Sequence, residues 1–231
     1  MMKDGLFPWK ESPFPLIDFA LYPNVTTVPA GTELWRVHKS RYAPGEFNPR
    51  LSDLHFDGGR FEGTVLDPYH YLYLAHTPVT ALAESLLRSL PYGSFGTREV
   101  SYATVHGRSL SCLRARYDLT LVSLVTGADL AAVRQEPTLL EDERNYAAAR
   151  RWSSEIRAQA PDAQGLVWDS RRNRGERALV LYRDRFEHAD GGPLEVVPGS
   201  GVPDLGSPEG RERVNELIAP LWAEVSKPVG W

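Results

Sequence analysis

The sequence holds a single cysteine, Cys112, and two methionines among 231 residues. One thiol cannot build an intramolecular disulfide framework, and with no second thiolate beside it a structural zinc site is not expected either; a reducing compartment suits such a chain. Like charges nowhere gather into blocks, and 26 basic against 30 acidic residues leave a net charge of −4. Nothing here would draw the chain to a phosphate backbone or an anionic lipid surface, so no direct nucleic-acid contact and no membrane partner are expected. No window approaches the ~18–20 continuous apolar residues of a membrane span. The N-terminal stretch mixes acidic residues with prolines at Pro8, Pro13 and Pro15 and lacks an uninterrupted apolar segment, so it does not read as a secretion signal. The expectation is a soluble, cytoplasmic protein.

Familiar catalytic patterns are missing too. No GxGxxG follows a strand, and neither GxxxxGK[ST] nor HExxH occurs, which removes support for Rossmann-type dinucleotide binding, Walker-type nucleotide hydrolysis and zincin chemistry. The histidines His38, His55, His70, His76, His106 and His188 are scattered, without i,i+4 pairing or thiolate partners, so no metal site is expected. No GxSxG elbow surrounds Ser85 or Ser170 to support a hydrolase triad.

What is present is a chain 42% hydrophobic, enough for one sizeable core and read here as a single domain over 1–231. Residues 1–32, rich in proline and aromatics, read as an irregular arm. Thr32–Ser40 reads as a strand, "FDGGRFEG" (Phe56–Gly63) as a turn leading into or out of a short strand, and "HYLYLAH" as the next strand, with Tyr71, Tyr73 and Ala75 on one side and Leu72 and Leu74 on the other. Thr77 and Pro78 open a helix through "PVTALAESLLRSL", whose apolar stripe is Val79, Leu82, Leu86 and Leu90. Glu84 lies off that stripe, and spacing alone places it on a solvated face.

Leu119–Val125 reads as a strand, Glu143–Ala160 as a helix, and Gly165–Arg185 as two strands joined by a charged turn. A Gly/Pro-rich linker from Asp190 leads to a last helix starting at Ser207 and Pro208. Its apolar stripe is Val214, Leu217, Ile218, Leu221, Trp222 and Val225, kinked at Pro220. This helix packs on its own domain or, alternatively, closes a homo-oligomer or docks a partner. Strands outnumber helices without regular βαβ spacing, so the fold class is α+β.

Four ordered stretches narrow the reading: "LWRV" (Leu34–Val37), "GGRF" (Gly58–Phe61), "YLAHTPVTALAE" (Tyr73–Glu84) and "GLVWDS" (Gly165–Ser170). Together they resemble the RES domain, a family named for its Arg, Glu and Ser, over about residues 33–186, with the arm 1–32 and the segment 187–231 outside the resemblance. The resemblance implies an ADP-ribosyltransferase-like fold of mixed and antiparallel sheets with flanking helices. It implies Arg60, Glu84 and Ser170 as the name-giving trio, with Tyr73 and Arg36 as further pocket residues. Phe61 stands where many members carry Trp, and the Arg60–Tyr73 interval is long for the family.

The resemblance further implies the toxin half of a bacterial toxin–antitoxin pair. Such a protein degrades NAD+ by hydrolysis or, with inorganic phosphate as co-substrate, by phosphorolysis, and a helix-turn-helix antitoxin neutralises it. Protein mono-ADP-ribosylation, and a catalytically idle binding module, are the alternatives. The chemistry suits the residues. Cleaving the nicotinamide–ribose bond moves positive charge onto the ribose, and an ionised carboxylate such as Glu84 stabilises it. Arg60 suits the pyrophosphate or ribose oxygens, Tyr73 a stack on nicotinamide, and Ser170 either the ribose or the orientation of Glu84. Arg36, on a strand, needs an anionic partner, either Glu84 or a bound phosphate. No cofactor is required, since NAD+ is the substrate.

Overall fold

Short strands and helices alternate along the chain because apolar runs of three to eight residues are repeatedly cut by Gly, Pro and Asp. The structure, a computed structural model, describes residues 19–56, 58–94, 96–142, 146–186 and 191–228. Among these the chain forms β1 (Val25–Val28), β2 (Glu33–Lys39), β3 (Tyr71–Ala75), α1 (Pro78–Leu86), β4 (Arg98–Val100), α2 (Tyr102–Val105), β5 (Arg108–Ala115) and β6 (Leu119–Leu124). It continues through α3 (Gly127–Ala132), α4 (Thr138–Glu141), α5 (Tyr146–Gln159), β7 (Gly165–Asp169), β8 (Arg177–Tyr182), β9 (Leu194–Val196), α6 (Pro208–Ile218) and β10 (Ala223–Val225).

Eight strands make one sheet in the order β1-β6-β7-β8-β3-β2-β5-β9, while β10 and β4 form a small parallel pair. Within the large sheet only β6 and β7 run parallel. The fold is mixed α+β, a curled, mostly antiparallel sheet flanked by six helices among the described residues. The curl follows from burial: Leu113 on β5 and Leu121 on β6, far apart in strand order, share one buried cluster with Leu34, Leu72, Leu74 and Leu181. Burying each such leucine is worth about 1.5–3 kcal/mol, so the sheet closes over its own apolar face. On the other face α3, α4 and α5 cover Tyr71, Trp168, Val180 and Tyr182, and α1 and α6 cover Ala75 and Leu110. The period-two reading of β3 holds, with Leu72 and Leu74 inside the curl.

One weak seam positions the site. β2 pairs with β5 along its whole length and β3 pairs with β8 likewise, but β2 and β3 meet only at Trp35 and Ala75. Beyond that pair the strands part, and Arg36 and Val37 on one side face a cleft shared with Tyr73 and Leu74 on the other.

Several elements differ from the sequence reading. α1 starts as expected, with Thr77 Oγ1 accepting from Thr80 N at 3.2 Å and Pro78 in the first turn, but it ends at Leu86 instead of Leu90. Ser89 takes a left-handed φ of 56°, and Pro91 disfavours helical backbone at Leu90. The described residues of the Phe56–Gly63 stretch form a turn with no strand, and an isolated parallel bridge between Ser52 and Thr64 flanks it. β1 lies within the stretch read as an arm, of which residues 1–18 fall outside the described part, and β9 lies within the Gly/Pro linker. α5 begins at Tyr146, the expected start at 143–145 lying outside the described residues.

The last helix begins as read, with Ser207 Oγ accepting from Gly210 N at 2.9 Å, and Val214 and Ile218 are buried with the α1 cluster. It stops at Ile218 and tightens into a 3-10 turn over Ala219–Leu221, because Pro220 has no N–H to continue it. Trp222 is therefore 67% exposed on left-handed backbone, and Val225 belongs to β10, not to a helical stripe. No helix among the described residues is long and apolar enough to cross a membrane.

Candidate active site

The seam between β2 and β3 opens into a cleft of about 400 Å³. Its walls carry six arginines, Arg36, Arg60, Arg88, Arg108, Arg171 and Arg172, against two carboxylates, Glu62 and Glu84. A cavity so lined favours an anionic ligand.

Glu84 comes from the second turn of α1. Instead of facing solvent, as helical spacing alone implies, it is half-buried at the cleft with its side chain 21% exposed. The reason is tertiary: the turn that follows β7 crosses above α1 and places Ser170 on it. Ser170 Oγ donates to Glu84 Oε1 at 2.6 Å, and Arg60 Nη2 lies 3.4 Å from Oε2 as an ion pair. Ser170 itself is fully buried, its Oγ also accepting from Arg172 N at 3.3 Å and Asn173 N at 3.1 Å. Of the two roles the sequence left open for it, this geometry is that of orienting Glu84.

Arg60 sits on the Gly-Gly-Arg turn. Gly58 has a φ of +74°, which L side chains rarely adopt, and a Cβ on Gly59 would stand 2.5 Å from Glu62 Oε1 and 3.0 Å from Tyr73 Oη. Three side chains from different elements pin this turn. Arg150 of α5, 1% exposed, donates to Gly59 O at 3.1 Å and Phe56 O at 3.3 Å; Arg88 donates to Gly58 O at 3.1 Å; and Tyr73 Oη accepts from Phe61 N at 2.9 Å. The Arg60 guanidinium, bonded through Nη1 to Leu140 O at 2.5 Å, lies 5.8 Å from the ring centres of both Tyr146 and Trp168. Its charge is thereby fixed against Glu84 with two aromatic faces behind it.

Tyr73 is half-buried, packs edge-on to Trp168 at 6.1 Å, and lines the cleft. Burial holds its hydroxyl well above the ordinary tyrosine value, with Glu62 adding to the effect, so it stays protonated. Arg36 stands on the β2 wall. Its Nη1 donates to Pro44 O at 2.6 Å and Glu46 O at 2.8 Å, and it makes no ion pair with Glu84, in contrast to one partner the sequence suggested. Burial lowers it to about 10, opposed by Glu46, which leaves it cationic at neutral pH.

Arg36, Arg60, Tyr73 and Glu84 thus converge on one cleft, with Ser170 behind the carboxylate. Glu62, Arg88, Tyr146, Arg150 and Trp168 were not singled out from sequence. A signal existed for three of them: Glu62 and Trp168 fall inside or beside the quoted motifs, and Arg150 shares the buried face of α5 with Ala149, Ser153 and Ile156, an arginine where the helix is otherwise small or apolar. Among the described residues no cluster of His, Cys, Asp and Glu could hold a metal ion.

Residues 33–197 match the family model of the RES domain. A chain in the crystal structure of the M. tuberculosis MbcT-MbcA toxin-antitoxin complex has a similar fold, with a TM-score of 0.57 and 15% identity over 84% of this chain and 92% of that one. No curated protein matches.

Proposed function

Because the chain belongs to the RES domain family, we propose that it is a toxin-type enzyme that cleaves the nicotinamide–ribose bond of NAD+ and passes the ADP-ribosyl group to water or inorganic phosphate. The observation that carries this reading is the Glu84 carboxylate, oriented by Ser170 and Arg60 inside an arginine-lined cleft. As the bond to nicotinamide breaks, its electron pair neutralises the pyridinium nitrogen and the ribose carbon gains positive charge. A carboxylate fixed beforehand beside that carbon stabilises the charge without reorganising. Tyr73 and Trp168 offer ring faces for nicotinamide, and Arg36 and Arg60 offer charge and N–H donors for the diphosphate. NAD+ is consumed as substrate, and the residues named supply the chemistry without a further cofactor.

The similar fold in a toxin-antitoxin complex supports a protein inhibitor as the partner, and a helix-turn-helix antitoxin that blocks this cleft completes the proposal. The test is NAD+ consumption by purified protein, with and without inorganic phosphate, products being separated by chromatography. Glu84→Gln keeps the shape and removes the charge; turnover should fall by about 10²–10³, the cost of losing one electrostatic stabiliser, with the melting temperature held. An undiminished mutant rejects the role of Glu84. Label from NAD+ ending on protein instead of in free products would redirect the reading to protein ADP-ribosylation.

A further inference from the structure

The cleft contains a second carboxylate in a different setting from the first. Glu84 is engaged at both oxygens, by a hydroxyl and by the cation of Arg60. Glu62 accepts from Ser52 Oγ, and its charge acts on the Tyr71 hydroxyl, which accepts from Asn48 Nδ2 at 2.9 Å; among the described residues it forms no ion pair. It is half-buried and lines the same cleft two residues after Arg60. The missing Cβ of Gly59 leaves room for its Oε1 and for the Tyr73 hydroxyl. A carboxylate that stabilises a cation is helped by a fixed partner, whereas one that must take up a proton is hindered by a cation resting on it. The two acids are therefore built for different tasks.

Resting on the reading proposed above, we infer that Glu62 is the general base for an attacking water and that its charge disfavours an anionic acceptor at the position of that water. The water oxygen bonds to the ribose carbon as the bond to nicotinamide breaks and its electron pair goes to the ring nitrogen. Glu62 takes the proton that the water loses and releases it to solvent. The products are ADP-ribose, nicotinamide and one proton. Inorganic phosphate already carries a nucleophilic oxyanion, needs no base, and is repelled by a second carboxylate.

The experiment compares wild type, Glu62→Gln and Glu62→Asp on NAD+, each with and without inorganic phosphate, with melting curves alongside. Wild type should give ADP-ribose whether or not phosphate is present. Glu62→Gln should hydrolyse NAD+ about 10²–10⁴-fold more slowly, the usual contribution of a general base, and phosphate should now restore cleavage, with ADP-ribose 1″-phosphate as product. Glu62→Asp keeps the charge and should remain insensitive to phosphate though slower, which tests the idea even if the glutamine variant does not fold. A purely structural carboxylate would not move this product ratio. Hydrolysis by Glu62→Gln at the wild-type rate, or the phosphate ester as the main product of wild type or Glu62→Asp, overturns the inference while leaving NAD+ cleavage standing. NAD+ left intact by wild type rejects the functional reading itself, and this inference with it.

Discussion

Ser170 has no surface open to the cleft, and its one hydroxyl hydrogen goes to Glu84. A hydrogen bond to a charged group contributes about 1.5–3 kcal/mol, and here it fixes the direction in which the carboxylate points. Ser170→Ala should therefore lower kcat by about tenfold to a hundredfold and leave the KM for NAD+ nearly unchanged, as steady-state kinetics would show. A raised KM with kcat intact would place the hydroxyl on the substrate instead. The residue was visible in the sequence only through the order of motifs around it. That its hydroxyl meets Glu84, 86 positions earlier, follows from no local pattern, since helical spacing by itself assigned Glu84 to solvent.

At the scale of elements, the turn bearing Arg60 is held from α5, from Arg88 just after α1, and from β3 at once. Burial lowers the pKa of Arg150, yet its two carbonyl bonds keep it in place as a strut between α5 and the turn. Arg150→Met keeps the length and removes the donors. The freed carbonyls should cost about 1–3 kcal/mol in urea unfolding, NAD+ affinity by calorimetry should weaken as Arg60 loosens, and Arg150→Lys should recover part of both. Unchanged stability and affinity would dismiss the strut. The helix starts at Thr77 and Ser207 were legible because capping is a local hydrogen bond between neighbours in sequence. β5 was not: Ser109, Ser111 and the flanking arginines interrupt its pattern, and it is buried on both faces, so no alternation betrays it. β9 owes its pairing to β5 and could not be read before it.

Across the whole molecule, Asp129 ties the segment before β1 to β6 and the start of α3. Asn24, before β1, donates to its Oδ1 at 2.9 Å; Ser123 of β6 and the Thr126 N–H at the start of α3 donate to its Oδ2 at 2.7 and 3.0 Å. Burial pushes this carboxyl up, but the three donors outweigh burial and hold it at about 2, below the 3.8 of the unfolded chain. The unfolded chain thus binds the proton more readily. The stability gained is complete above pH 3.8 and fades as pH falls towards 2. Asp129→Asn should lower stability at neutral pH and flatten the acid limb between those values; circular dichroism along an acid titration would reveal it, and a limb identical to wild type would dismiss the tie.

The sequence by itself determined the class, the starts of α1 and α6, the alternation of β3, and a first set of residues worth attention, because each rests on contacts between near neighbours or on motif order. The tertiary structure alone decided that eight strands curl round one leucine core and that β2 and β3 meet at a single pair. It also decided that the cleft so opened brings Arg36, Arg60, Tyr73 and Glu84 together. Those outcomes depend on burial shared between strands far apart in the chain, a quantity that no window of sequence contains.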